Sequence, residues 1–110
     1  YLQSPLSFFG HTHLQGGFIA SSAGLETIPP TPQGEEERVL EIPERCLCLA
    51  NPGSVGQPRD RDPRAAYLIY ASKEKVLRYR RVAYDVEAVQ RKMRLAGLPP
   101  GLADRLSAGR

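Results

Sequence analysis

Leu6-Ser7-Phe8-Phe9-Gly10-His11-Thr12-His13 is a short apolar run that ends in a glycine and two histidines. Bounded by Pro5 and Gly10, it reads as a buried strand. The loop after such a strand is where α/β proteins place ligands. In an extended segment His11 and His13 point the same way, about 7 Å apart along the backbone. Two imidazoles so placed can bind one metal or two adjacent ones. Neutral imidazole suits Zn, Mn, Fe or Ni when carboxylates complete the shell. Gly10 lets the backbone approach whatever is bound. The competing explanation is a pair of surface or hydrogen-bonded histidines. The chain has 2 His, both in this one motif, and on the residues alone the two explanations are evenly matched.

A second stretch, Asn51-Pro52-Gly53-Ser54-Val55-Gly56-Gln57-Pro58-Arg59-Asp60, follows another continuous apolar run at residues 46–50 that reads as a fully buried strand. Its glycines, with Asn51 and Ser54, can form a cradle of backbone N–H groups for an anion. The planar fork of Arg59 can contact a phosphate oxygen. A structural turn, with Arg59 paired to Asp60 or Asp62, explains the composition better. The stretch is not a P-loop, because no Gly-Lys-Ser/Thr follows.

Outward from these two stretches the chain is punctuated by turns. Residues 17–21 read as a strand after a tight turn at Gly16-Gly17, and residues 23–34 as a loop with three prolines. Residues 38–42 alternate apolar with charged, so one face is solvated. A long loop runs to about Arg64. Residues 65–71 and 76–84, separated by Ser72-Lys73-Glu74-Lys75, read as a β-hairpin. Asp85 is a good helix N-cap, Val86, Val89, Met93 and Leu95 recur at helical spacing, and Gly97 suits the C′ position. Pro99-Pro100 starts a second helix. The expectation is an α/β protein, α+β-like over this stretch: about six short strands within residues 6–84, then helices at about 85–96 and 100–107. If the strands form one sheet, a face covered only by these helices leaves the other face in need of a partner layer.

Bulk composition narrows the function classes. A chain of 110 residues is one small domain or a piece of a larger one. It begins at Tyr1 without an initiator Met, which suggests a fragment, a processed chain or one domain of a longer protein. The net charge of +3 gives weak attraction for anions and is compatible with a phosphorylated substrate. Much of the excess lies in Arg78, Arg80, Arg81, Arg91, Lys92 and Arg94, without the dense aromatic-interleaved stripe of a nucleic-acid protein, so Arg78 to Arg81 read as a solvated hairpin face. Cys46 and Cys48 share a strand face, which disfavours a disulfide and leaves two small buried apolar residues. Nothing here argues for an oxidising compartment, a secretory signal or a bilayer span, so a cytoplasmic location is expected.

Gly10-His11-Thr12-His13 after its strand, and Leu49 to Asp60 in that order and spacing, together resemble the calcineurin-like metallophosphoesterase superfamily, in particular its small prokaryotic branch with bacterial phosphodiesterases. Tyr84-Asp85-Val86-Glu87, Gly97-Leu98-Pro99 and Leu102-Ala103-Asp104-Arg105-Leu106 are similar too. The resemblance covers most of the chain. It implies two facing mixed sheets flanked by helices, a four-layer αββα sandwich, of which residues 1–110 are the C-terminal portion.

It also implies a binuclear centre of two divalent ions (Mn, Fe, Zn or Ni, with Mn favoured) that clamps a phosphate and lowers the pKa of an attacking water. His11 matches the first histidine of the family's last motif, a ligand of the second metal, and His13 matches the second, a ligand of the first metal. Asn51 and Ser54 match a supporting loop close to the metals. The family's earlier Asp-x-His, Gly-Asp and Asn-His motifs and its further His have no counterpart here. Asp60, Asp62, Asp85 and Asp104 lie in no such context. The resemblance therefore implies no catalytic residue in this chain, and negligible activity until it is joined to an N-terminal half. The expected substrate is a phosphorylated small molecule or nucleotide; nucleic acid is expected only as a phosphodiester substrate, and a homo-oligomer is compatible with the exposed edges. The alternative is a non-catalytic family member acting as a partner-binding scaffold.

Overall fold

Residues 47–51 place Cys48 and Ala50 on one side, and in residues 76–82 Leu77 and Tyr79 alternate with Arg78 and Arg80; each pattern becomes an interior strand of a sheet. The computed structural model describes residues 5–110, and among them seven strands precede two helices. The order is β1 (Leu6–Phe8), β2 (Gly16–Ser21), β3 (Gly24–Ile28), β4 (Glu37–Glu41), β5 (Leu47–Asn51), β6 (Ala65–Ala71), β7 (Val76–Val82), α1 (Val86–Leu95) and α2 (Pro100–Ala108).

The first sheet has the order β1-β5-β2-β3 and the second the order β4-β7-β6. β1 and β5 run parallel, with Leu6 opposite Cys48 and Phe8 opposite Ala50. Their ends therefore deliver residues 9–13 and 52–60 to the same end of the molecule. All other pairings are antiparallel. The strands do not form one sheet, so neither sheet has to wait for the helices: the two pack on each other. Ile28, Cys48 and Ala50 from one meet Leu77 and Tyr79 from the other, with Leu6, Ile19, Leu40, Ile42 and Leu68 around them. The Tyr79 hydroxyl donates to Gly16 O at 2.9 Å, a bond from one sheet to the other. Burial first, and the nearby Cys48 thiolate second, push the Tyr79 phenol above its ordinary pKa, so it remains a donor.

Two local expectations fail. Residues 24–28 were expected in a loop but form β3. This edge strand buries only Ile28, so it lacks the apolar alternation that marks a half-buried strand; it exists because the two-residue turn Ser22-Ala23 folds it onto β2. Gly16 and Gly17 are not a turn. They open β2 at φ 136° and 140°, and a β-carbon on either would press on the Ile28 or the Leu49 carbonyl oxygen, so glycine is required for close backbone approach. The 65–82 hairpin, in contrast, has its four-residue polar loop where expected.

Asp85 caps α1, its Oδ1 accepting from Ala88 N at 3.0 Å. At the other end Gly97 N–H donates to Arg94 O and Leu98 N–H to Met93 O, with Gly97 at φ 79°, which satisfies two orphan carbonyls. Gln90 Nε2 donates to Ala103 O at 2.8 Å and joins the helices. Arg61 N donates to Gly109 O at 2.8 Å, so the helical pair is moored to the long loop after β5. No helix among the described residues is long and apolar enough to cross a membrane. Cys46 and Cys48 are buried free thiols; burial, and then the charge of Cys46, raise the Cys48 pKa, which makes it inert.

Candidate metal centre

β1 gains one more rung when Phe9 N donates to Ala50 O at 3.0 Å. The chain then leaves the extended conformation. His11 has φ 75° and His13 φ 60°, and Thr12 N donates to Gly10 O at 2.9 Å, closing a three-residue turn centred on His11. The expectation that both histidines lie on one extended segment is therefore corrected. Positive φ costs a residue with a β-carbon on the order of 1–3 kcal/mol and persists only where surrounding bonds enforce it. Here they come from the loop after β5.

His13 Nδ1 lies 2.8 Å from Gln57 O. A carbonyl oxygen can only accept, so Nδ1 is the donor, and in the neutral imidazole this tautomer leaves the lone pair on Nε2. The His13 carbonyl in turn accepts from Arg59 N at 3.1 Å. Asn51, 1% exposed, donates from Nδ2 to Thr12 Oγ1 at 2.9 Å and accepts from Gly53 N at Oδ1, also at 2.9 Å. It thus clamps the two loops together. Ser54 Oγ accepts from Gln57 N at 2.9 Å and shapes the turn that holds the carbonyl under His13. Gly53, at φ 88°, allows close packing: a β-carbon there would stand 2.8 Å from that of Ala66. His11 is exposed and makes no hydrogen bond among the described residues.

Asn51 thus stands against the histidine loop, while Ser54 reaches it only through the turn that carries Gln57. Arg59 does so through its backbone alone. Its side chain is exposed and pairs with neither Asp60 nor Asp62, which corrects the structural pairing expected for it. Those carboxylates have other partners. Asp60 Oδ2 makes an ion pair with Arg81 and accepts from Gln15 N at 3.3 Å. Asp62 is bound by Arg64 at 2.7 Å. Burial alone would raise the Asp62 pKa, but hydrogen bonds from Arg64 and the charge of Arg81 more than offset this and hold it below the usual carboxylate range.

Gln15, Asp60 and Arg81 are the residues that sequence reasoning missed. Arg81 is 2% exposed and does not belong to the solvated hairpin face expected for it, whereas Arg78 and Arg80 do face Glu37 on the outer side. The signal was present: Arg81 has the same strand parity as Leu77 and Tyr79, both buried.

Two imidazoles, one of them with Nδ1 tethered and Nε2 free, have the donor chemistry of a divalent metal site. They do not complete one. Among the described residues no three His, Cys, Asp or Glu side chains cluster closely enough to hold a metal ion. The residues present fit part of a metal centre.

No family model matches the chain. An uncharacterized protein of Methanocaldococcus jannaschii is 35% identical over 105 residues, 96% of this chain and 40% of that protein. The crystal structure of a metallophosphoesterase from Sphaerobacter thermophilus matches with TM-score 0.84 and 35% identity, over 99% of this chain and 44% of that one. The chain has a calcineurin-like metallophosphoesterase fold. It spans less than half the length of either relative. The chain itself holds two facing sheets and a helical pair.

Proposed function

We propose that this chain supplies the last two histidine ligands of a metal-dependent phosphoesterase. The observation that carries the reading is the Nδ1 bond from His13 to Gln57 O at 2.8 Å, in a chain with the metallophosphoesterase fold. A ligating histidine commonly donates its other ring N–H to a carbonyl or carboxylate, which fixes tautomer and ring orientation. His11, exposed on the same loop, is the second ligand. The two ions, with Mn favoured, would supply positive charge for a phosphoryl oxygen and acidify a water.

The chain's own residues do the preparatory work. Gln57 O orients His13, Asn51 holds Thr12 between the histidines, and Ser54 shapes the loop that carries Gln57. Arg59, anchored by its backbone and exposed at its side chain with no guanidinium partner among the described residues, is available for a phosphate oxygen. The carboxylates that such a centre requires come from outside this chain, from an N-terminal portion of the same domain, and the chain alone is inactive. The substrate class is a phosphodiester or phosphomonoester of a small molecule or nucleotide, and the location is cytoplasmic.

The test is hydrolysis of bis-p-nitrophenyl phosphate and p-nitrophenyl phosphate with added Mn²⁺, using the protein that contains this chain joined to the remainder of the domain. Turnover that His13→Ala abolishes supports the reading. A folded protein that binds no metal and turns over neither ester contradicts it, in favour of the partner-binding scaffold.

A further inference from the structure

The residues that touch His13 are themselves held by a buried polar network the sequence did not reveal. Three bonds pin residues 13–15 to residues 57–60: His13 Nδ1 to Gln57 O, Arg59 N to His13 O, and Gln15 N to Asp60 Oδ2. The third depends on a carboxylate only 10% exposed, whose other oxygen, Oδ1, is buried with no partner among the described residues. A buried carboxylate so poorly satisfied is held in place by the cation packed against it. That cation is Arg81, with a side chain 1% exposed.

Arg81 hydrogen-bonds three targets from the second sheet and also lies 3.8 Å from Asp62 Oδ2. Its terminal nitrogens bond Asp60 and Arg64 O, and its Nε donates to Gln15 Oε1 at 3.2 Å. Gln15 completes the frame: Oε1 also accepts from Thr31 N at 2.9 Å, and Nε2 donates to Arg80 O at 3.1 Å and Tyr67 O at 3.4 Å. The metal-facing loops of the first sheet are thereby tied to β6 and β7 of the second.

We infer that Asp60 and Arg81 are positioning residues for His13: their ion pair, read through Gln15, holds the 57–60 loop against residues 13–15 and so keeps Gln57 O on the His13 ring. The inference rests on the metal-ligand reading of His13, but its structural half is testable without any metal. Releasing Asp60 lets the Gln57 carbonyl drift, and the imidazole then samples both tautomers and several orientations. Arg81 requires arginine, because a lysine ammonium at the end of a flexible stem cannot bond Asp60, Gln15 and Arg64 O together.

The experiment uses Asp60→Asn, which keeps shape and removes the charge, and Arg81→Lys, which keeps charge and removes the fork. Leu77→Val serves as a control that weakens the core away from the loop. All are made in the protein containing this chain and the rest of the domain. Imidazole ¹⁵N spectra of the metal-free protein report the His13 tautomer, and Zn²⁺ titration reports affinity. Both network variants are expected to shift His13 from a fixed Nδ1–H tautomer to an averaged one and to weaken Zn²⁺ about 10-fold or more, while Leu77→Val changes neither. If Asp60→Asn and Arg81→Lys fold and leave both the tautomer and the affinity at the control's values, the inference is overturned. If either fails to fold, the other decides. A tautomer shift in a protein whose His13 never binds Zn²⁺ keeps the positioning device and removes the metal reading instead.

Discussion

At one end of the sandwich β1 and β5 deliver the histidine loop and the Asn51–Asp60 loop; at the other, Leu6, Ile42, Pro43 and Cys46 help line a cavity of about 540 Å³. Both ends hold non-glycine residues at positive φ, His11 and His13 at the first and Arg45 and Lys75 at the second. Backbone conformation alone therefore does not mark a site. Buried polarity separates the ends. Gln15, Thr31, Asn51, Asp62 and Arg81 are all buried within or beside the network at the histidine end, whereas the opposite end buries Cys46, Cys48 and Val76. Arg45 and Lys75 sit in exposed turns, where Lys75 O accepts from Ile42 N at 3.0 Å; His13 and its neighbour Thr12 are held by side-chain bonds to residues about forty positions away.

The contrast breaks most visibly at Arg81. Arg81→Met leaves the Asp60 carboxylate buried without its cation, and urea unfolding is expected to show a loss of about 3–5 kcal/mol. Leu77→Ala opens a cavity in the shared core and is expected to cost about 3 kcal/mol by the same measurement, without disturbing the His13 ring. Comparable stability losses with opposite effects on His13 are the signature of the two-ended account. If Leu77→Ala releases the ring equally, the ends are not independent.

Asp62 sharpens the comparison through pH. Its pKa is lowered in the folded state, so it stabilises the protein above its unfolded value of about 3.9. That contribution is lost as pH falls through the lower folded value. Asp62→Asn should therefore flatten the acid limb of a stability-versus-pH curve below about pH 4, and an unchanged limb would show that Arg64 contributes nothing there. The smallest effect lies outside both ends. Asp85→Ala removes the α1 cap and is expected to cost about 1 kcal/mol, read as a modest fall in thermal midpoint.

What the sequence disclosed follows the range of the forces involved. The 65–82 hairpin, the Asp85 cap and the Gly97 terminus rest on neighbours a few residues apart, and their local residues announce them. β3 escaped notice because an edge strand that buries one residue has almost no apolar period. The turn over residues 11–13 was illegible because Gln57 bonds His13 from 44 residues away and Asn51 bonds Thr12 from 39. Arg81 was an error of reading: a charge in a run of arginines outweighed a strand parity that already placed it beside Tyr79. The histidine motif, the loop that supports it and the metallophosphoesterase likeness were all readable, but the network that orients them was not.

The most direct measurement of the central claim is metal binding by the protein containing this chain, with Mn²⁺ followed by calorimetry in the parent, His13→Ala and Leu77→Val. The account predicts at least about a 10-fold loss of affinity in His13→Ala and none in Leu77→Val. Equal affinity in the parent and His13→Ala, both folded, would contradict it.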